Sequence, residues 1–303
     1  MSEAVVDNKN ADNPISDFQS QLSQAGYIAD RSLAASLMLF NKLQRPLLLE
    51  GDAGVGKTEI AKVLSSIYDC DLIRLQCYEG LDVNSAVYEW NYQQQLLSIK
   101  LLEQSNVSQQ QAEKHIFDRQ FLLERPLLSA ITQNKPPVLL VDEIDRADEE
   151  FEAFLLEVLS DFQISIPELG TIKAVTKPLV ILTANGTREL SDALRRRCLY
   201  HYVDYPEFDK ELRIVNTKIP DMSVKLARQI VGFVQDLRNV DLRKKPGVAE
   251  TLDWASALLQ FDITSLDDNP ELLMETLGCL LKTHEDSIRL ETFEVERLIA
   301  RAV

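Results

Sequence analysis

The segment Gly51-Asp52-Ala53-Gly54-Val55-Gly56-Lys57-Thr58 constrains this chain more than any other. It has the form G-x-x-x-x-G-K-[ST], with the apolar run Leu47-Leu48-Leu49 before it and helical periodicity from Glu59 to Tyr68 after it. Strand, glycine loop and helix in that order are what a phosphate cradle requires. Glycines reach backbone angles closed to other residues, so successive N–H groups can turn inward on phosphate oxygens. The start of the following helix adds its positive end. Lys57 is then placed for the β and γ phosphates of a nucleotide, and the Thr58 hydroxyl for Mg²⁺.

A second apolar run, Val138-Leu139-Leu140-Val141, ends in Asp142-Glu143. A carboxylate at the tip of a buried strand in an open α/β sheet faces the crevice where ligands bind. Asp142 is the metal-side acid on this reading, and Glu143 is placed to polarise an attacking water. Asn185 closes a further apolar strand, Leu179 to Leu182, and is either a turn residue or an amide that holds the water and senses the γ-phosphate. Arg195-Arg196-Arg197 is either a solvated basic turn or, in a ring of subunits, the source of an arginine that reaches a neighbouring site.

Strands alternate with helices as far as Pro206, which predicts a parallel sheet with helices on both faces. Residues 1–15 read as a flexible polar tail and 16–206 as an α/β core. Within that core, 78–119 carry two glutamine triplets and read either as a low-complexity linker or, from the interleaved Leu96, Leu97, Ile99, Leu101 and Leu102, as an ordered insertion, and 162–175 read as a hairpin. The pattern from Phe121 to Ile131 reads as one helix. Beyond about 207 only helical periodicity remains, over 224–237, 248–259, 270–281 and 286–301, which predicts a small all-helical domain spanning 207–303. Four scattered cysteines without a C-x-x-C pair predict reduced thiols. The absence of a long apolar run predicts a cytoplasmic chain without a membrane span. A formal net charge of −16 argues against a nucleic-acid backbone as the main partner.

Taken in order, Gly51–Thr58, Val138–Glu143, Asn185 and Ala193-Leu194-Arg195-Arg196-Arg197-Cys198 resemble the AAA+ superfamily, specifically its MoxR-type branch. Longer runs resemble the CoxD-like subgroup: Gln76-Cys77-Tyr78-Glu79-Gly80-Leu81-Asp82, Tyr88-Glu89-Trp90-Asn91-Tyr92, Phe121 to Leu128, Arg197 to Pro206 and Pro246 to Trp254. The resemblance implies a P-loop NTPase core of three αβα layers followed by a helical lid, with ATP and Mg²⁺ as cofactors. It places the arginine finger at Arg197, with Arg196 as the alternative, and the Mg²⁺ ligands at Thr58 and Asp142. The nucleotide-binding set becomes Gly51 to Thr58 with Glu59, and Tyr27-Ile28 resembles the stretch flanking the adenine base, though by composition it suits an ordinary core equally. A homo-hexameric ring, a partner with a von Willebrand A domain, and a client similar to a molybdenum-containing dehydrogenase are also implied.

Two positions depart from the family pattern. Asp145 stands where an asparagine is usual, and Thr251 stands where the lid helix usually carries a nucleotide-sensing arginine. Arg243, Lys244 or Lys245 substitutes for that arginine, or the lid senses nucleotide weakly. Two competing classes fare worse. A GTPase switch needs Asn-Lys-x-Asp, which Asn134-Lys135-Pro136-Pro137 does not supply, and a DNA-directed helicase or loader is disfavoured by the acidic charge.

Overall fold

The computed structural model describes residues 14–103, 115–290 and 292–303. Residues 1–13 of the expected tail and 104–114 of the expected insertion lie outside them. The chain forms two compact units: one gathers the N-terminal segment through Ala34, Gly51–Val63 and Tyr202–Val303, and the other Ala35–Glu50 and Leu64–His201.

The second unit is built on a five-stranded parallel sheet. Its strands are β1 (Leu47–Glu50), β2 (Leu72–Gln76), β5 (Val138–Asp142), β8 (Leu179–Ala184) and β9 (Leu199–Tyr202), in the order β2-β5-β8-β1-β9. Every residue of β5 is buried, as expected of a strand covered on both faces. β8 lies between β1 and β5, with Glu50 opposite Ala184 and Val141 opposite Leu182. The C-terminal ends of these three strands therefore share one edge of the sheet. β9 was not foreseen in the sequence, where Leu199-Tyr200-His201-Tyr202 has too few apolar residues to stand out.

Two small antiparallel pairs flank this sheet in the chain: β3 (Tyr88–Trp90) with β4 (Leu122–Glu124), and the hairpin of β6 (Gln163–Ile166) and β7 (Gly170–Lys173). β4 corrects the single helix read over 121–131. Leu122 faces inward beside Trp90 while Leu123 is exposed, and a helix begins only at Pro126. Proline at the first helical position also biases the preceding Arg125 toward extended backbone.

The helices are α1 (Pro14–Gln24), α2 (Arg31–Leu43), α3 (Lys57–Ile67), α4 (Val83–Ala86), α5 (Tyr92–Glu103), α6 (Pro126–Thr132), α7 (Glu149–Asp161) and α8 (Asp192–Arg197). They continue with α9 (Phe208–Lys218), α10 (Val224–Leu237), α11 (Val248–Gln260), α12 (Pro270–Thr276), α13 (His284–Arg289) and α14 (Thr292–Ala302). Those from α9 onward bury their own core, including Phe233, Trp254 and Leu298. Two corrections apply to this region. The helix read over 286–301 is divided into α13 and α14, with buried Leu290 leaving the helical conformation between them. The helix read over 270–281 ends at Thr276 and passes into a 3₁₀ turn. All four cysteines are free thiols. Among the described residues no helix is long and apolar enough to cross a membrane.

Candidate active site

In the loop between β1 and α3, glycine is demanded by geometry. A Cβ at Gly51 would sit 2.1 Å from the Val203 carbonyl oxygen, so the backbones touch where only hydrogen fits. Gly54 and Gly56 have φ of +79° and +94°, in the left-handed region that side chains disfavour. Lys57 opens α3 and is buried, and its Nζ donates to the Gly51 and Asp52 carbonyl oxygens at 2.7 Å each. The loop thus closes around its own ammonium group. A buried cation inside a glycine loop at a helix start suits a phosphate group. The hydroxyl of Thr58 and the carboxylate of Asp142 are oxygen donors of the kind Mg²⁺ takes.

The two residues carried over from the family's base-flanking stretch are packed inward. Ile28 is buried, and the Tyr27 amide donates to Leu22 O at 2.9 Å. Burial, with the charges of Asp30 and Glu59 adding to it, pushes the Tyr27 phenol well above its usual range. Glu59 spends its carboxylate on ion pairs with Lys218 at 3.0 Å and Lys62 at 3.2 Å. Burial works to raise the Glu59 pKa, but the two lysines outweigh it and hold the group below the ordinary value.

The acidic edge belongs to the sheet unit. Asp142 is buried and accepts from Thr183 Oγ1 at 2.5 Å and from Arg74 at 3.0 Å (Nε) and 2.5 Å (Nη2). The same Thr183 oxygen accepts the Glu143 amide at 2.9 Å, so one hydroxyl from β8 pins both acids. Glu143 has φ 56° and ψ 49°, a left-handed conformation that costs a non-glycine residue about 1–2 kcal/mol. Strain of that kind concentrates at functional sites. The Glu143 carboxylate meets Arg146 Nε at 2.9 Å.

Asn185 leaves the tip of β8, and its backbone is held by Asp145. Asp145 Oδ2 accepts from the amides of Asn185 (3.1 Å) and Thr187 (2.9 Å) and from Thr187 Oγ1 (2.6 Å). Burial acts to raise the Asp145 pKa, yet these donors outweigh it and the carboxyl is held below its usual range. Replacing Asp145 by Ala is expected to destabilise the fold by about 1–3 kcal/mol, because three donors lose their acceptor. A folded pKa below the unfolded value contributes stability above the unfolded carboxylate range and loses it as pH falls through the folded value. The gap in melting temperature between wild type and Asp145→Ala should therefore be full at neutral pH and shrink in acid below about 4. A constant gap from pH 7 to 3 would remove the charged carboxylate from this account.

The three arginines separate by orientation. Arg195 turns inward to Glu50, at 3.5 Å, whereas Arg196 and Arg197 are exposed. Arg45 donates to the Arg196 carbonyl oxygen at 2.8 Å and to that of Arg197 at 3.3 Å, capping α8 and supporting the helix that carries both. Arg74 and Thr183 escaped the sequence reading, which noted Asp145 only as a departure from the family pattern. Only the strand register places Arg74 beside Leu140, two pairs from Gln76 opposite Asp142.

Residues 46–198 match the family described as AAA domain (dynein-related subfamily). An uncharacterized protein of Staphylococcus aureus, strain bovine RF122 / ET3-1, is 30% identical over 224 residues, covering 72% of this chain and 76% of that protein. A counterpart in strain USA300 is 29% identical over the same shares. Among solved structures, the Thermotoga maritima RuvB Holliday junction branch migration motor aligns with a TM-score of 0.43 and 16% identity, over 87% of this chain and 68% of that one. A RuvB mutant aligns with a TM-score of 0.46 and 16% identity, over 90% and 71%. With its glycine loop closed on Lys57 and its strand-end acids pinned by Thr183, this chain belongs to the AAA domain family of the dynein-related subfamily and is an ATPase.

Proposed function

We propose that this ATPase is a MoxR-type machine, closest to the CoxD-like subgroup, that couples Mg-ATP hydrolysis to remodelling or maturation of a client protein. The observation that carries the chemistry is the pinning of Asp142 and Glu143 by Thr183, with Glu143 held in a strained conformation. In this reading Gly51 to Thr58 bind the phosphates, with Glu59 following and Tyr27 and Ile28 flanking the base. Thr58 and Asp142 serve Mg²⁺, Glu143 polarises the attacking water and Asn185 orients it. The metal supplies charge neutralisation on the phosphate oxygens.

Exposed Arg196 and Arg197, on a helix capped by Arg45, support a finger acting in trans within a homo-hexamer. The 207–303 region serves as the lid of a core spanning 16–206. A cytoplasmic setting, a von Willebrand A domain partner and a molybdenum-containing dehydrogenase as client complete the reading. The insertion and the β6–β7 hairpin are its client-facing or pore-lining elements.

Steady-state hydrolysis against protein concentration tests it. The rate per subunit should rise with concentration, and Arg197→Ala should lower the plateau by about 10³-fold or more while leaving ATP binding intact. Unchanged turnover in Arg197→Ala together with Arg196→Ala would remove the trans arginine. Co-purification on tagged Glu143→Gln protein should recover a von Willebrand A domain protein, and recovery of DNA-processing proteins alone would favour a DNA-directed machine.

A further inference from the structure

Thr251, which stands where a sensing arginine was sought, is fully buried and donates through Oγ1 to Glu211 at 2.8 Å. Glu211 is itself fully buried and forms a bidentate pair with Arg238, Nη1 to Oε2 and Nη2 to Oε1, both at 2.6 Å. None of Arg243, Lys244 or Lys245 takes part in this cluster. Arg238 Nε donates to the Pro246 carbonyl oxygen at 2.8 Å, and its guanidinium carbon lies 5.0 Å from the centre of the Tyr205 ring. Gln235 extends the cluster by donating to Glu211 at 2.7 Å and to the Pro206 carbonyl oxygen at 2.8 Å.

Two arms run from this cluster to the phosphate loop. The Tyr205 phenol lies beside the Asp52 carboxylate, whose charge adds to burial in pushing it up to about 12. Gly247, next to Pro246, lies so close to the loop that a Cβ there would sit 2.8 Å from Gly54 Cα, and the Ala249 amide donates to Gly54 O at 3.2 Å. Both arms are therefore anchored on one buried ion pair. Such a pair, with every remaining lone pair bonded, moves as a unit, because separating its members strands a charge in the interior.

We propose that the helical region reads nucleotide occupancy indirectly, through the backbone of the phosphate loop, with Tyr205 and Gly247 as the contacts and Arg238 as the positioning residue that joins them. The trigger is Lys57. Its ammonium bonds the carbonyls of Gly51 and Asp52, and a phosphate that draws it away frees the Asp52 peptide, whose carboxylate lies beside Tyr205. No lid arginine needs to touch the γ-phosphate, which accounts for a buried threonine at position 251.

The inference rests on the glycine loop as the nucleotide site, and hydrogen–deuterium exchange of the full chain with and without ADP tests both together. In wild type, ADP should slow exchange in peptides covering 52–58 and also in those covering 205–211 and 246–251. In Tyr205→Phe, the loop should stay protected, with ADP affinity within about tenfold of wild type, the worth of one hydrogen bond at most. Protection of 205–211 should be lost, while 246–251, which touches Gly54 directly, should keep it. Arg238→Lys should lose protection in both 205–211 and 246–251, since one ammonium cannot span both Glu211 oxygens and the Pro246 carbonyl. In both variants kcat should fall more than KM rises. Persistence of the ADP effect on 205–211 in Tyr205→Phe, or on 246–251 in Arg238→Lys, would overturn the proposal. A wild-type loop that ADP leaves unprotected would overturn the nucleotide-site reading beneath it.

Discussion

Glu143→Gln should abolish steady-state ATP hydrolysis, lowering turnover by about 10²–10⁴-fold, the usual worth of a positioned general base. ATP should still bind, because the phosphate loop is untouched. The substitution keeps the shape of the side chain and leaves the amide-to-Thr183 hydrogen bond in place, so the fold should melt as before. Phosphate release measured beside equilibrium ATP binding separates the two effects. Turnover surviving at more than about a tenth of wild type would show that another group activates the water and that Glu143 is only a strained turn residue.

Gly51→Ala should be nearly as severe for a different reason. The new methyl group would overlap the Val203 carbonyl oxygen, and that oxygen belongs to the backbone, which cannot rotate aside. Overpacking of this kind costs about 1–3 kcal/mol where side chains can yield, and a backbone neighbour puts it at the upper end or beyond. The Gly51 carbonyl also accepts from Lys57, so a displaced loop releases the lysine, and nucleotide binding should be lost with stability. Gly56→Ala is the matched control. Nothing lies within 4 Å of its added carbon, leaving only the left-handed backbone cost of about 1–2 kcal/mol. Thermal melts of both variants without nucleotide check the ranking, and equal losses of stability would refute the close-approach argument.

The loop and the acids were legible in the sequence because their chemistry is local. Gly51 to Thr58 act within eight consecutive residues, and Asp142-Glu143 follow an unbroken apolar strand. What escaped depends on residues far apart in the chain meeting through folding. Arg74 reaches Asp142 only because β2 lies beside β5, and Thr183 pins both acids only because β8 is inserted next to that strand. The Asp145 substitution looked like one extra charge near the site, whereas its oxygen organises the turn after β8. Thr251 looked like a missing arginine, yet it belongs to a buried cluster with Arg238 and Glu211 that no sequence spacing reveals. The helix read over 121–131 failed because its leucines suit either period, and Pro126 settles the boundary.

The four free thiols have a practical consequence. Cys77 and Cys198 are buried, and burial pushes both to about 12, with the nearby Asp142, Asp145 and Glu143 charges adding to it at Cys77. They should stay silent toward a maleimide dye near neutral pH, because the thiolate is the reacting species. Cys70 and Cys279 are only half-buried, and they fall in different compact units. The native chain therefore carries one half-buried thiol in each unit as an attachment point for a dye without an introduced cysteine, with Cys70 slowed by the burial that raises its thiol above the usual range.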